Sequence, residues 1–206
     1  MRPDLPKIYP ITDRDLSGLS HLEQVRRLVE SGARLIQLRD KTADAGEFYR
    51  DVIETIGFAR PRGVRIIVND RVDIALAARA DGVHIGQDDL PAEQTRKLLG
   101  KDAMIGLSTH SLEQALAAIQ LPVDYIAIGP IFETSTKGAT DKALGPACLR
   151  SVREAVGPFP LVAIGGIDRT NARSVLEAGA DSVAVISDLV SDAEDIASRM
   201  RAFDDI

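Results

Sequence analysis

The chain has 206 residues, 45% of them hydrophobic, with a formal net charge of −6. That apolar content fills a sizeable core and excludes wholesale disorder, and the acidic balance excludes a global field that would draw in nucleic acid or an anionic membrane. Aromatic residues are only 4%, with no Trp, which argues against a base-stacking platform, and the single cysteine excludes an internal disulfide and a cysteine-cluster metal site. No apolar run approaches the roughly 20 residues needed to span a bilayer, and the start of the chain has no apolar core of the leader kind. A cytoplasmic protein without membrane or nucleic-acid partners is expected.

Along the chain, short apolar runs alternate with segments of helical periodicity. The runs cover 8–11, 35–38, 66–68, 83–85, 104–107, 125–128, 161–164 and 183–186. Most are continuous rather than alternating, as parallel strands buried on both faces should be. Between them, Leu22/Val25/Val29, Phe48/Val52/Ile56, Leu112/Ala115/Leu116/Ile119 and Ala193/Ile196/Ala197/Met200 form helical stripes, the last continued by Phe203. Gly32 and Gly179 sit where helices should end, and Pro91 suits a first helical turn. Eight strand–helix units leave about 25 residues each, which predicts an α/β, single-domain (β/α)8 TIM barrel over residues 1–206. An open doubly wound sheet is the rival, but it usually has fewer strands at this length, and no G-x-G-x-x-G follows the first strand. The 132–145 segment, rich in Thr, Lys and Gly, is the one long loop candidate and reads as a lid over the site.

In such a barrel the chemistry sits at the C-terminal strand ends. Arg39 and Lys41 alternate at the end of the second run and, with Lys137, would suit a polyphosphate; ordinary surface charge or pairing with a neighbouring Asp is the alternative. Asp70 and Asp89 follow the third and fourth runs. Hard carboxylate oxygens suit Mg²⁺, although either residue alone could be a helix cap. Gly165-Gly166 after the seventh run and Ile186-Ser187 after the eighth fall where barrels bind phosphate. His84 and His110 read as general bases or as hydrogen-bonded supports, His21 as a surface residue at a helix start, and Cys148 as a small buried residue.

Taken in order, Gln37-Leu38-Arg39-Asp40-Lys41, Val68-Asn69-Asp70, His84-Ile85-Gly86-Gln87-Asp88-Asp89, Ser108-Thr109-His110, Thr134-Ser135-Thr136-Lys137, Gly165-Gly166 and Ile186-Ser187 form a specific set. The chain resembles the thiamine-phosphate synthase (thiamin phosphate pyrophosphorylase) family over nearly its whole length. The resemblance implies two small-molecule substrates, hydroxymethylpyrimidine diphosphate and a thiazole phosphate, joined with release of pyrophosphate through a dissociative, carbocation-forming step. It further implies that Arg39, Lys41 and Lys137 hold the diphosphate beside Asn69, and that Asp70 and Asp89 hold Mg²⁺. Gln37 and Ser108 would then meet the pyrimidine or the reacting groups, while Thr134, Thr136, Gly166, Ile186 and Ser187 surround the thiazole phosphate. Arg39, Lys41, Ser108 and Lys137 are the expected catalytic set. A thiazole tautomerase-like isomerase on the same fold, with His110 as proton shuttle, and a non-catalytic phosphate-ligand sensor are the rival readings. The sequence leaves homo-oligomerisation open, and does not say whether the acceptor is the plain or the carboxylated thiazole phosphate.

Overall fold

The structure, a computed structural model, describes residues 4–134, 142–203 and 206. Eight strands alternate with helices along the chain. They are β1 (Ile8–Asp13), α1 (Arg14–Ser17), α2 (His21–Glu30), β2 (Leu35–Arg39), α3 (Ala45–Ala59), β3 (Arg65–Asn69), α4 (Val72–Ala78), β4 (Gly82–Ile85) and α5 (Ala92–Leu99). There follow β5 (Met104–Thr109), α6 (Leu112–Ala118), β6 (Tyr125–Ile128), α7 (Gly145–Val156), β7 (Leu161–Ile164), α8 (Ala172–Glu177), β8 (Ser182–Val185), α9 (Ser187–Val190) and α10 (Ile196–Arg201). The strands pair in chain order, all parallel, and β8 closes on β1, so the predicted (β/α)8 barrel is the observed one. Each apolar run became a strand. Ile186 falls just outside β8, which frees its backbone for the turn that follows.

Strand residues such as Ile36, Ile67, Ile105, Ile126 and Val183 are wholly buried, inside the barrel or beneath its helices. The stripe on α3 is as predicted, with Phe48, Val52 and Ile56 buried. That on α2 is rotated: His21, Gln24, Val25 and Leu28 are buried, and Leu22 and Val29 only partly so. His21 is therefore not a surface residue. Ser20 caps α2 by accepting the Glu23 N–H, which turns the first helical residue inward. Cys148 is half-buried against the core rather than enclosed.

The N-terminal end of the barrel is fastened by a repeated device. Asp81, Asp124 and Asp181 each immediately precede an even-numbered strand, and each accepts a backbone N–H from the preceding odd-numbered strand. The donors are Ile66 at 2.8 Å, Ile105 at 2.7 Å and Leu161 at 2.8 Å. Each carboxylate also faces an arginine: Arg60 at 3.9 Å, Arg96 at 2.6 Å and Arg153 at 2.6 Å respectively. Before β2 the same position holds Arg34, which cannot accept. Among the described residues no helix is long and apolar enough to cross a membrane.

Candidate active site

At the opposite, C-terminal end, the barrel opens into a narrow cleft. Of the residues expected at a site, Gln37, Arg39, Asn69, His84 and Ile186 line it, together with Tyr9 and Tyr125. Apolar side chains, among them Ile11, Val162 and Ile164, form the rest of the wall.

A chain of buried polar groups crosses the cleft floor. The Gln37 amide donates to the Tyr9 hydroxyl at 3.2 Å, which meets the Tyr125 hydroxyl at 3.1 Å. Tyr125 meets His84 Nδ1 at 3.0 Å, and His84 Nε2 meets the Ser108 hydroxyl at 2.9 Å. Burial pushes the Tyr9 hydroxyl up to about 12 and raises Tyr125 well above its ordinary value, so both phenols stay neutral and serve as hydrogen-bond relays. His84 is thus the support reading realised: it holds Ser108 and stacks on Tyr125 with ring centroids 5.5 Å apart.

Charged groups gather around the mouth. Arg39, at the end of β2, pairs through Nη1 with Asp13 at the end of β1 at 2.5 Å. Its Nε is buried and has no hydrogen-bond partner among the described residues, which leaves part of the guanidinium for an acceptor in the cleft. Lys41 pairs with Asp70. Both cations therefore have the neighbouring Asp that the sequence allowed, and both stay at the mouth.

Asp70 adopts a left-handed backbone with φ 58°, unusual outside glycine, and its N–H donates to the His84 carbonyl at 2.8 Å. The turn carries Asp70 off the end of β3 toward Asp89. Neither carboxylate caps a helix: α4 begins after Arg71 and α5 after Pro91, with no side-chain cap at either. Asp89 accepts the Gly86 N–H at 2.7 Å. Its pKa is raised, first by burial and further by the facing Asp70 carboxylate, against the Gly86 bond. Two carboxylates crowded in this way fit a divalent cation, and Mg²⁺ typically takes one or two protein carboxylates with waters and phosphate oxygens completing the shell. Among the described residues no larger group of metal-binding side chains gathers.

Gly165 and Gly166 follow β7 with φ 100° and 63°, and Ile186 and Ser187 follow the adjacent β8. Gly166 lies so close to the chain after β6 that a Cβ would come within 2.5 Å of the Glu133 carbonyl oxygen. Its glycine is explained by this packing as well as by any ligand. Thr134 is half-buried on that same stretch, whereas Thr136, Lys137 and the rest of 135–141, half of the expected lid, lie outside the described residues. His110 Nδ1 donates to the Gly129 carbonyl at 2.7 Å, and so orients the chain after β6.

Sequence reasoning missed Tyr9, Tyr125, Asp13 and the buried His21. The signal for Asp13 was its place beside Thr12 at the end of the first run, in line with Arg39. The tyrosines gave none, because Tyr9 and Tyr125 meet only through closure of the barrel across 116 residues.

A family model described as thiamine monophosphate synthase matches residues 8–189. A thiamine-phosphate synthase of Methanospirillum hungatei is 45% identical over 200 residues, 97% of this chain and 96% of the relative. One of Methanosarcina barkeri is 46% identical over 182 residues, 88% and 82% of the two chains. Among solved structures, the thiamine phosphate pyrophosphorylase from Pyrococcus furiosus superposes with a TM-score of 0.86 at 38% identity, covering 97% of this chain and 94% of the other. With the match running from β1 into α9, through every strand end described above, this chain belongs to the thiamine monophosphate synthase family.

Proposed function

We propose that the barrel mouth transfers the hydroxymethylpyrimidine group from its diphosphate to a thiazole phosphate, forming thiamine phosphate and pyrophosphate in the cytoplasm. The observation that carries the reading is the facing pair Asp70 and Asp89, set at the mouth with Lys41 on Asp70. In this reading Arg39 and Lys41 grip the diphosphate beside Asn69, with Lys137 as a third cation, and Asp70 and Asp89 hold Mg²⁺. Bound there, Mg²⁺ supplies neutralisation of the charge that grows on the departing diphosphate.

Gln37 and Ser108, braced through Tyr9, Tyr125 and His84, orient the pyrimidine. The bond between the methylene carbon and the diphosphate oxygen breaks with both electrons leaving on oxygen, and the aminopyrimidine spreads the positive charge left behind. The thiazole nitrogen lone pair then forms the new carbon–nitrogen bond. The apolar wall of Ile11, Val162 and Ile164 keeps water from the cation. Thr134, Thr136, Gly166, Ile186 and Ser187 surround the thiazole phosphate. No protein nucleophile is needed. An isomerase acting on the thiazole alone would have no use for the carboxylate pair.

The test is formation of thiamine phosphate and pyrophosphate from the two substrates, followed by mass spectrometry with and without chelator. Product requires both substrates and Mg²⁺. Turnover of the thiazole phosphate alone, or full synthesis in chelator, refutes the reading.

A further inference from the structure

His21 is the one histidine wholly sealed from solvent, and it lies beside the mouth rather than in it. Its Nε2 meets Asp40 Oδ2 at 3.2 Å and its Nδ1 meets the Thr12 hydroxyl at 2.7 Å. Asp40 is an acceptor only, held ionised by the N–H groups of Ala43 at 2.8 Å and Thr42 at 2.9 Å, which together with His21 outweigh its burial. Burial holds the His21 pKa below its ordinary value, so the ring is neutral with its proton on Nε2, and Nδ1 accepts from the Thr12 hydroxyl, which also lies 3.3 Å from the Gln37 carbonyl. The spacing is that of a hydrolase relay, but neither Thr12 nor His21 has any exposure, so no substrate reaches them.

What the three residues do share is position. Thr12 adjoins Asp13, the partner of Arg39. Asp40 lies between Arg39 and Lys41, and its carboxylate closes the turn into α3. We propose that His21 is a positioning residue for the pyrimidine diphosphate: by anchoring Asp40 to the first turn of α2, with its own ring oriented by Thr12, it sets the backbone that aims Arg39 and Lys41 into the mouth. This rests on the reading that Arg39 and Lys41 hold that diphosphate. Aim matters because a small displacement of a binding group costs far more than its own bond.

Three variants separate positioning from core filling. Gln at this site reaches Asp40 but not Thr12; Asn reaches Thr12 but not Asp40; Leu reaches neither. His21→Asn and His21→Leu should raise KM for the pyrimidine diphosphate by about tenfold, the scale on which removal of a supporting partner acts. KM for the thiazole phosphate should stay unchanged, and His21→Gln should restore most of the loss. Asp40→Ser, which keeps an oxygen for the Thr42 and Ala43 N–H groups but is too short to reach His21, reproduces the His21→Asn result should the His21 variants fail to fold. Equal shifts in both KM values, or equal behaviour of His21→Gln and His21→Asn, overturn the proposal. Arg39→Ala, measured alongside, separates the two levels. If it leaves KM for the pyrimidine diphosphate unchanged, the assignment of the site falls and this proposal with it. If it raises that KM while the His21 and Asp40 variants do not, only the role of His21 falls.

Discussion

Asp13 and Arg39 are register partners across the β1–β2 ladder, and their side chains close a 2.5 Å ion pair at the point where both strands reach the barrel mouth. The pair fixes one arm of the guanidinium on protein and leaves the buried Nε side to the cleft. Lysine in place of Arg39 keeps the charge but has one nitrogen to share between Asp13 and a ligand. Arg39→Lys is therefore expected to raise KM for the pyrimidine diphosphate by about tenfold or more and to leave KM for the thiazole phosphate unchanged. Steady-state kinetics with each substrate varied in turn checks this.

Asp89 has a folded-state pKa raised by burial and by Asp70. The sign follows: ionising it costs stability, a cost present above the folded pKa and gone below the unfolded one. Asp89→Asn removes that cost while keeping an oxygen for the Gly86 N–H. It should melt no lower than wild type in metal-free buffer yet lose activity by about 100-fold or more. Mg²⁺ should raise the wild-type melting temperature and not that of the variant. Because metal needs the ionised carboxylate, the Mg²⁺ concentration for half-maximal rate should climb as pH falls toward the raised pKa. Melting curves and Mg²⁺ titrations at several pH values test all three statements.

Fastening at the other end of the barrel should be separable from activity. Asp124→Ala leaves the Ile105 N–H without its acceptor and takes the carboxylate from Arg96, which keeps the Pro122, Gly100 and Ala103 carbonyls, and should lower stability by about 1–3 kcal/mol. Asp124→Asn, which still accepts from Ile105, should recover part of it. Denaturant unfolding measures the loss, and kcat should stay within about twofold in both.

Gly166 combines φ 63° with a Cβ position 2.5 Å from the Glu133 carbonyl oxygen and 2.7 Å from Phe132 Cβ. Gly166→Ala therefore strains the backbone and pushes on the chain after β6. It should cost about 1–3 kcal/mol and raise KM for the thiazole phosphate by the same movement. Ser187→Ala is the cleaner probe. If backbone N–H groups hold the phosphate there, that change should shift KM by less than about threefold. Comparing phosphorylated with dephosphorylated thiazole in both variants identifies which loss is specific to the phosphate.

The fold was legible because runs such as 66–68 and 161–164 are apolar without alternation, a pattern that suits strands covered on both faces. The charged residues of the site were legible too, since Arg39, Asp70 and Asp89 all stand at or just after strand ends. Whether Asp70 and Asp89 were caps was not, because capping depends on where α4 and α5 begin, and they begin at Val72 and Ala92, which puts Arg71 and Pro91 at the cap positions. His21 was misread for a related reason: a polar residue opening a helix usually faces water, and here Thr12 of β1, Asp40 in the turn after β2 and the Phe48 ring of α3 draw it inside. The Asp81, Asp124 and Asp181 device left a visible trace, an aspartate just before alternate apolar runs, whose meaning needs the neighbouring strand.

With Arg34 where three other strand pairs have an aspartate, the β1–β2 pair lacks that fastening at the base and is held at the mouth by Asp13–Arg39 and by His21 between Thr12 and Asp40. The barrel wall is thus uneven, pinned below on three quarters and above on one. Arg39, assigned to the diphosphate, and His21 are the rivets of that last seam. Altering them to change substrate choice loosens the closure of the cylinder itself, so engineering of this mouth calls for a base aspartate at position 34 before the rivets are touched.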